Sequence, residues 1–390
     1  MLHQLEGSQA VARAVALCRP KVVCAYPITP QTHIVEGLGE LVHSGELENC
    51  EYLNVESEMA AISVAIGSEA AGVRSYTATS SQGFLYMIEG VYNASGLELP
   101  IVMTLGNRAL GAPLNIWNDH ADAMAARDCG WLMIFAENNQ EAVDLHIQAF
   151  KIAETVKCPV IVCVDGFILT HAYEQVDEFL PPYNPVFSLD TEDPYAIGTM
   201  VPPADFMEVR YLAHRRQLDA LPVVQKVSDE FKAKFGRDSG GLVKKYNVEG
   251  AEVVIVAMGS VLGTIKDTVD ELNADNPGKF GVLSIACYRP FPDKEVREAL
   301  KNAKKIIVVE KAFAIGRGGI LSREIEMNLR DLNIDVISVI AGLGGRVITK
   351  SMLRDCFLNP AEKLIFLGLK KDVIQREYQP IEEEGSACRA

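Results

Sequence analysis

The feature that most constrains the fold of this chain is a series of short apolar runs that alternate with longer helix-like segments. Two of the runs, PIVMTL and PVIVCV, have no polar face, which is typical of strands in a parallel sheet covered on both sides. The first 175 residues contain candidate strands at 21–26, 51–55, 74–79, 100–105, 131–135 and 159–164. Helix-like segments lie between them at 31–44, 58–71, 83–96, 119–128 and 139–156. The alternation predicts a doubly wound α/β domain with a parallel sheet.

A second α/β unit follows a change in composition. Residues 176–245 are at first rich in proline (FLPPYNP, MVPP) and then form a charged helix-like run, which is followed by a predicted linker, RDSGG, at 237–241. Further candidate strands lie at 251–258, 282–285, 305–309, 335–339 and 364–367. At roughly 150 residues per domain, the sequence predicts a first domain at 1–245, a second at 246–370 and a C-terminal tail at 371–390.

The composition excludes several classes of protein. The formal net charge is −15, which argues against a nucleic-acid surface, because such a surface needs clustered Lys and Arg. The nine cysteines form no C-x-x-C pair, so we expect reduced thiols and no iron–sulfur or zinc ligand set. The sequence shows neither a signal-peptide pattern nor an apolar run of about 20 residues. We therefore expect a cytoplasmic protein that binds neither nucleic acid nor membranes.

Polar segments follow four of the predicted strands. AYPITP (25–30) comes after the first strand, VESE (55–58) after the second, TSSQG (79–83) after the third and GNRALGAP (106–113) after the fourth. The carboxyl ends of parallel strands share one edge of a sheet, and ligands of such folds bind there. We therefore expect the four segments to converge on one cleft.

The first of these segments is unusually rigid. Pro27 must end the strand, because proline has no N–H for the ladder, and Pro30 restricts Thr29 to an extended conformation. A loop that only reversed the chain would use glycine or asparagine. Either the prolines merely start the next helix, or the hydroxyl of Thr29 faces a ligand.

Two charged residues are candidates at the same edge. Glu58 opens EMAAISVAIGSEAAG, which is apolar nearly all round and predicts a buried helix. It is either a carboxylate that meets a ligand or an ordinary first-turn acid, and Glu56 competes with it. Arg108 lies among small apolar residues, where its guanidinium would suit a bound carboxylate or would form a structural ion pair.

The remaining motifs are weak. The segment NIWNDHADAMAARDCGW resembles a metal site only superficially, and we expect its polar side chains to orient a loop over the cleft: Asn118, Asp119, His120, Asp122 and Asp128. The serines of TSSQG have no histidine at a recognisable spacing, and a G-x-S-x-G elbow is absent. The turns MGSVLG (258–263) and GRGGI (316–320) do not complete G-x-G-x-x-G, so they support a dinucleotide site only weakly.

Taken together, YPITP, ESE, TATSSQG, GNRAL, NIWNDH and RDCGW resemble the α subunits of the pyruvate:ferredoxin oxidoreductases. These belong to the thiamine-diphosphate-dependent 2-oxoacid:ferredoxin oxidoreductases. CYRPFP (287–292) and the glycine-rich turns after it are similar to the transketolase C-terminal domain of that subunit. The resemblance covers nearly the whole chain. It implies a pyrimidine-type thiamine-diphosphate-binding domain at 1–245 and a transketolase C-terminal-like domain at 246–370.

The resemblance also implies roles for individual residues. Glu58 is expected to hydrogen-bond the aminopyrimidine of thiamine diphosphate, and Thr29 and Arg108 to hold the carboxylate and carbonyl region of a 2-oxoacid. These three form the expected catalytic set. Further contacts are expected to the cofactor from Tyr26, Pro27, Ile28 and Gln82, and to the substrate from Asn115. No metal ligand is expected on this chain.

The same resemblance implies that the chain functions as one subunit of a larger complex. The sequence has no GDG…N-type segment for a metal-bound diphosphate. The family places Mg²⁺ and the [4Fe–4S] clusters on partner subunits: a β subunit that shares the thiamine diphosphate, a γ subunit and a ferredoxin-like δ subunit. We expect a dimer of hetero-oligomers, inactive as the single chain, that converts pyruvate and coenzyme A to acetyl-CoA and carbon dioxide and reduces ferredoxin.

Several alternatives stay open. Branched-chain 2-oxoacids are the closest rival substrates, whereas 2-oxoglutarate or oxalate is disfavoured because YPITPQT contributes no second cation. A dinucleotide- or flavin-binding oxidoreductase that uses the turns at 258–263 or 316–320 is a different class of enzyme. A non-catalytic scaffold of the same fold is the third reading.

Overall fold

The computed structural model describes residues 2–177 and 200–378. The predicted proline-rich stretch FLPPYNP, the tail beyond residue 378 and Cys388 lie outside these ranges.

The first part of the chain alternates strands and helices as predicted. Its strands are β1 (Leu2–Glu6), β2 (Val22–Ala25), β3 (Glu51–Asn54), β4 (Ser75–Thr79), β5 (Val102–Asn107), β6 (Leu132–Phe135), β7 (Val160–Asp165) and β8 (Tyr173–Asp177). Its helices are α1 (Gly7–Leu17), α2 (Thr32–His43), α3 (Glu58–Ala70), α4 (Ser81–Tyr86), α5 (Ile88–Gly96), α6 (Ala121–Ala125), α7 (Asn139–Val156) and α8 (Pro203–Phe235). The predicted helix at 83–96 is therefore two helices, which are separated at Met87.

The second part repeats the alternation. Its strands are β9 (Val243–Tyr246), β10 (Val253–Ala257), β11 (Phe280–Ile285), β12 (Cys287–Arg289), β13 (Lys305–Glu310), β14 (Asp335–Ile340) and β15 (Leu364–Phe366). Its helices are α9 (Val261–Asp275), α10 (Asp293–Leu300), α11 (Leu321–Asn328), α12 (Lys350–Leu358) and α13 (Lys371–Glu377).

Two large sheets organise the described residues. The first has the order β3-β2-β4-β5-β7-β6-β12, and the second has the order β15-β14-β13-β10-β11-β9. Both are parallel except at one edge, where β12 pairs antiparallel with β6 and β9 pairs antiparallel with β11. The mixed α/β class with parallel sheets is confirmed. The predicted boundary between residues 245 and 246 falls within β9, a strand of the second sheet.

Helices cover both faces of the first sheet. Apolar side chains of α1, α2 and α7 pack on one face, and those of α3 and α5 pack on the other together with side chains of the second unit. Among the latter, Tyr288 and Leu321 are fully buried or nearly so. One continuous apolar core therefore joins the two units.

Helix α3 corrects one expectation. Only one of its faces is buried, whereas Ser63 and Gly67 are exposed and Met59 and Ile66 are half-buried. The prediction of a buried helix is therefore correct for the inner face of α3 only. The reason is that small residues, Ser63 and Gly67, occupy the outer face, where the apolar composition of the whole segment hides them.

The predicted linker at 237–241 is fixed to α7. Arg237 forms an ion pair with Asp144 (2.8 Å), and Ser239 Oγ donates to the same carboxylate (2.7 Å). The backbone N–H of Gly240 donates to Glu141 (3.0 Å). The connection between the two units is therefore held in one position by a buried carboxylate.

The remaining global expectations concern cysteines and membranes. The eight cysteines within the described ranges are free thiols, and all except Cys50 are buried. Among the described residues, no helix combines the length and the apolar character that crossing a bilayer requires.

Candidate functional site

The four polar segments that were predicted to share a cleft lie side by side. The strands that precede them are consecutive in the order β3-β2-β4-β5 and pair in parallel. Their carboxyl ends therefore form one continuous edge, as predicted. We call this edge the rim; it comprises residues 25–30, 55–58, 79–83 and 106–113.

The AYPITP loop is supported by a residue that sequence reasoning missed. Gln31 is fully buried; its Nε2 donates to the carbonyl of Tyr26 (3.0 Å) and its backbone N–H to that of Ile28 (3.0 Å). Pro27 is half-buried, whereas Thr29 is exposed, and its hydroxyl has no partner among the described residues. The loop is thus held from its buried side and presents Thr29 outward.

Arg108 lies behind Thr29 and is 6% exposed. Its Nη1 donates to the Thr29 carbonyl (2.9 Å) and its Nε donates to the Asn115 carbonyl (3.0 Å). Within the described ranges no Asp or Glu forms an ion pair with it, so the structural ion pair is not observed. Burial lowers the pKa of the guanidinium from its ordinary value, and the nearby Asp122 opposes this change. The remaining N–H groups suit an incoming carboxylate.

Glu58 lies at the start of α3, next to TSSQG. Ser57 caps this helix, its Oγ accepting a first-turn N–H (3.2 Å). Glu58 is 8% exposed, and its carboxylate has no hydrogen-bond partner among the described residues, whereas Glu56 is exposed. A Cβ at Gly83 would lie 2.5 Å from Oε1 of Glu58 and 2.8 Å from Oγ1 of Thr79. Glycine at residue 83 therefore makes room for the carboxylate.

Two buried hydroxyls at the end of β4 also lack partners. Oγ1 of Thr79 and Oγ of Ser80 form no hydrogen bond within the described structure. Leaving a buried polar group unpaired costs about 1–3 kcal/mol. Oγ1 of Thr79 adjoins the unpaired carboxylate of Glu58, whereas a Cβ at Gly106 would lie 2.9 Å from Oγ of Ser80. The unpaired groups therefore mark the rim as a place that a polar ligand completes.

Asp122 joins two segments of the rim. It is fully buried, and its carboxylate accepts the backbone N–H groups of Ser81 (3.1 Å) and Arg108 (3.0 Å) and the side-chain amide of Asn107 (3.0 Å). Burial raises the pKa of Asp122 to about 7, against the opposing effect of these hydrogen bonds. The structure agrees with the expectation that this polar segment orients a loop.

The TSSQG segment adopts a conformation that the sequence did not reveal. Ser81 has φ = +49°, in the left-handed region, which costs energy for a residue other than glycine and recurs at functional sites. Its Oγ donates to the Ala109 carbonyl (2.5 Å). Gln82 is half-buried, and a Cβ at Gly111 would lie 2.6 Å from its Nε2. The side chain of Gln82 thus reaches from the third rim segment to the fourth.

Asn115 connects the rim to the second unit. Its Nδ2 donates to the Gly344 carbonyl (3.2 Å), and its Oδ1 accepts the Trp117 N–H (2.7 Å). Asp119 accepts the Gly344 N–H (3.1 Å). Both ends of the Asn115 side chain are therefore engaged by the protein, and a contact with substrate remains a prediction.

The two glycine-containing turns of the second unit are filled by the protein's own carboxylates. Asp165 accepts the backbone N–H of Ser260 (3.0 Å) in the first turn. Glu310 accepts the N–H groups of Ile320 (2.7 Å) and Leu321 (2.8 Å), at the N-terminus of α11 in the second. A helix N-terminus is where a dinucleotide phosphate would bind, so neither turn offers that position.

Comparison with known proteins decides the family. Residues 13–229 match the family described as pyruvate flavodoxin/ferredoxin oxidoreductase, thiamine diphosphate-binding, and residues 251–353 match core domain II of pyruvate:ferredoxin oxidoreductase. The chain belongs to the pyruvate:ferredoxin oxidoreductase family. The resemblance stated from the sequence is thereby confirmed, and residues 13–229 form a thiamine-diphosphate-binding domain.

Individual relatives agree over almost their full length. The chain is 44% identical to pyruvate synthase subunit PorA of Methanosarcina barkeri, over 97% of this chain and 96% of that protein. It is 43% identical to the PorA subunit of Methanothermobacter thermautotrophicus, over 95% and 99%. It is also 42% identical to ketoisovalerate oxidoreductase subunit VorA of Pyrococcus abyssi, over 89% and 90%.

A solved structure shares the fold. The 2-oxoglutarate:ferredoxin oxidoreductase from Magnetococcus marinus, with 2-oxoglutarate, coenzyme A and succinyl-CoA bound, superposes with a TM-score of 0.68 at 19% identity. The match covers 91% of this chain but 64% of that chain, so this chain spans less than two thirds of its length. At this identity the likeness supports the architecture alone.

Proposed function

We propose that this chain is the α-type subunit of an oxidoreductase that decarboxylates pyruvate with coenzyme A, yielding acetyl-CoA and carbon dioxide and reducing ferredoxin. The observation that carries the proposal is the rim itself. One hydroxyl, one unpaired carboxylate and one guanidinium without an ion-pair partner among the described residues lie there, on Thr29, Glu58 and Arg108. The similarity to pyruvate synthase subunits of several archaea supports the choice of pyruvate.

The residues around Glu58 fit the aminopyrimidine of thiamine diphosphate. The unpaired Glu58 carboxylate and the unpaired hydroxyl of Thr79 beside it would meet the ring's donors and acceptors. Glycine at residue 83 leaves room for the carboxylate beside them. When bound, the cofactor supplies the electron sink that decarboxylation of a 2-oxoacid requires. Glu58 holds the ring by a charge-assisted hydrogen bond, and Tyr26, Pro27, Ile28 and Gln82 are the further contacts we propose.

Arg108 and Thr29 orient the substrate in this proposal. The guanidinium is pre-positioned by two backbone carbonyls, which reduces the entropy lost when it binds the carboxylate of a 2-oxoacid. The loop YPITPQT carries no second cation, which favours a monocarboxylate such as pyruvate over 2-oxoglutarate. Asn115, seven residues after Arg108, is proposed to complete the substrate contacts.

Partner subunits complete the proposed enzyme. We propose a β subunit that shares the thiamine diphosphate and brings Mg²⁺, γ and ferredoxin-like δ subunits with [4Fe–4S] clusters, and assembly as a dimer of hetero-oligomers in the cytoplasm. Exposed apolar side chains beside the rim support a covering partner: Tyr26 (39% exposed), Leu114 (77%) and Trp117 (52%).

We also propose the division into domains at 1–245 and 246–370. The two family matches, at 13–229 and 251–353, fall on either side of this boundary and support it. Because β9 belongs to the second sheet, a boundary a few residues earlier would keep that strand whole.

A branched-chain 2-oxoacid is the second candidate substrate, because a ketoisovalerate oxidoreductase subunit is 42% identical to this chain. A panel of 2-oxoacids tested on the purified complex, with reduction of a viologen dye as the readout, separates the two. We expect the highest kcat/KM with pyruvate. A higher value with 2-oxoisovalerate or 2-oxoglutarate would overturn the choice of pyruvate and leave the family intact.

The role of Glu58 is tested by an isosteric change in the assembled complex. We expect Glu58→Gln to lower pyruvate decarboxylation by at least two orders of magnitude, because the amide cannot act as the anionic partner of the cofactor ring. Glu56→Gln is the matched control: Glu56 is exposed two residues earlier, and its loss should leave the rate within about twofold. Equal rates for the wild type and Glu58→Gln would remove Glu58 from the mechanism.

A further inference from the structure

The chain brings together three residues that ligate metals in proteins but are far apart in sequence. Glu6 ends β1, His33 lies in the first turn of α2, and His171 lies between β7 and β8. One ligand atom from each lies within 4.8 Å of the ligand atoms of the other two. Sequence spacing gave no signal for this cluster, because several helices and strands lie between the three residues along the chain.

The cluster is already held together without a metal. Nδ1 of His33 lies 2.6 Å from Oε1 of Glu6, and the rings of His33 and His171 stack with their centroids 4.8 Å apart. The side chain of His33 is 45% exposed and that of Glu6 13% exposed, so an ion can enter from solvent. None of the three residues shares a hydrogen bond with Glu58 or Arg108.

We propose that Glu6, His33 and His171 form a binding site for a divalent transition metal ion of the zinc class. Two imidazoles and one carboxylate are a common ligand set for Zn²⁺, with water in the fourth position. Ligands of a tetrahedral zinc ion are roughly 3.3–3.4 Å apart, given bonds of about 2.0–2.1 Å. The ligand atoms of Glu6 and His33 must therefore separate by under about 1 Å, and that of His171 must approach them by up to about 1.5 Å, movements of the size that side-chain rotations produce.

A second hydrogen bond orients His171 for this role. Oγ1 of Thr170 accepts the backbone N–H of Phe167 (2.8 Å) and lies 2.8 Å from Nδ1 of His171. A metal bound at Nε2 leaves Nδ1–H to donate to this oxygen. Metal-bound histidines are commonly held by such an outer hydrogen bond, which fixes the tautomer and the orientation of the ring.

The site is linked to the rim by a column of rings. The ring of His33 packs against that of His171, His171 against Phe167 (4.7 Å between centroids) and Phe167 against Trp117 (4.6 Å), with the planes of each pair tilted by 35–45°. The Trp117 carbonyl accepts the N–H of Ala109, the residue after Arg108. A metal that fixes the two histidines therefore also restricts the motion of the rim segment 106–113, which bears Arg108. This inference does not depend on the proposed function.

Calorimetric titration of the metal-stripped full-length chain with Zn²⁺ tests the site. We expect one saturable site, and at least tenfold weaker binding for each of Glu6→Gln, His33→Gln and His171→Gln. His43→Gln is the matched control, an exposed histidine at the other end of α2, and should bind as the wild type does. Metal-free thermal unfolding at the wild-type temperature establishes that each variant folds.

Fluorescence provides a second and independent readout. Co²⁺ is a paramagnetic substitute for zinc, and we expect it to quench Trp117, at the end of the ring column, more than Trp131, the fully buried second tryptophan. Trp117→Phe should remove the quenched component, as should His33→Gln. The proposal is overturned if the wild type shows no saturable binding, if the three ligand variants bind like the wild type, or if His43→Gln weakens binding as much as His33→Gln.

Discussion

A single missing side chain controls the position of the Glu58 carboxylate. At residue 83 a Cβ would lie 2.5 Å from Oε1 and 2.9 Å from Cδ of Glu58. We expect Gly83→Ala to displace the carboxylate and to lower decarboxylation by the complex at least tenfold, since a misplacement of about 1 Å at a reacting group can cost 10²-fold. The rate of dye reduction with saturating pyruvate measures the effect.

Gly67→Ala is the control for this change. Gly67 lies on the exposed face of α3, and a Cβ there would have no neighbour within 4 Å. Alanine should stabilise the helix by about 1 kcal/mol relative to glycine without changing the rate. Similar rates for both alanine variants would show that Glu58 does not need the space that Gly83 leaves.

At the scale of elements, a buried hydrogen-bond chain ties α7 to the sheet under the rim. Nδ1–H of His146 donates to the Ala142 carbonyl (2.6 Å), and its Nε2 lies 2.5 Å from Oγ1 of Thr104, which in turn lies 2.6 Å from the hydroxyl of Tyr76. The chain is complete when Tyr76 donates to Thr104 and Thr104 donates to a neutral His146. Burial lowers the pKa of His146 to about 4, which the bond to Ala142 only partly opposes.

This chain predicts a pH dependence of stability. In the unfolded state the pKa of His146 is about 6.5. Between about pH 6.5 and pH 4 the unfolded chain therefore binds more protons than the native chain. The contribution of His146 to the free energy of unfolding is therefore intact above pH 6.5 and is lost as the pH falls toward 4, by about 3 kcal/mol. We expect His146→Gln to be less stable than the wild type in urea at pH 7.5, but no less stable at pH 4.5. A constant difference at the two pH values would contradict the prediction, and His43→Gln, an exposed change, should show no such reversal.

The strands and helices also show which elements the sequence predicts and which it does not. Each end of β7 was predicted to within one residue and each end of β5 to within two, because strands buried between two helical layers are apolar on both faces and form a continuous apolar run in the sequence. Strands β1, β8, β9 and β12 were missed, since short edge strands carry polar residues (LHQLE, YEQVD) and little pattern. The helical nature of α3 was predicted, but the exposure of its outer face was not, because composition does not say which side of a helix the rest of the chain covers.

The candidate site divides in the same way. Thr29, Glu58 and Arg108 could be assigned to the rim because each lies within four residues of the end of a strand, so that local sequence fixes their place on the edge. Their roles there stay predictions. The roles of Gln31 and Asp165 were missed, and the hydrogen-bond partners of Asp122 were not predicted. Their partners are backbone groups that come close only after the sheet has formed, and the left-handed conformation of Ser81 is likewise a product of that packing.

On the scale of the whole molecule, the two units meet through a buried charge. Asp165 at the end of β7 forms an ion pair with Lys311 after β13 (2.9 Å) and also accepts from His120 (2.6 Å), Asn118 (3.1 Å) and Ser260. Burial alone would raise the pKa of Asp165, but Lys311 and His120 hold it well below its ordinary value. The carboxylate is therefore ionised in the core, and its charge balance comes largely from the other unit.

Removing the lysine should consequently loosen the whole assembly. We expect Lys311→Met to lower the free energy of unfolding by about 3–5 kcal/mol, because it leaves a buried carboxylate without its cation. Lys350→Met removes one side of an exposed ion pair with Glu271 (2.5 Å, both side chains nearly half exposed) and should cost far less than Lys311→Met, because solvent screens the exposed pair. Urea denaturation of the full-length chain at pH 7.5 measures both.

A second substitution distinguishes a lost ion pair from lost packing. The double variant Lys311→Met with Asp165→Asn also removes the carboxylate that the single variant leaves without its cation, so it should recover part of the stability that Lys311→Met alone loses. The loop that bears Asn115 lies between the two units, so the single variant should also raise KM for the 2-oxoacid more than it lowers kcat. If Lys311→Met and Lys350→Met lower the free energy of unfolding equally, the neutral hydrogen-bond donors around Asp165 are sufficient to stabilise its charge without the lysine. In that case the apolar core shared by the two units, rather than this ion pair, would set the geometry of the rim.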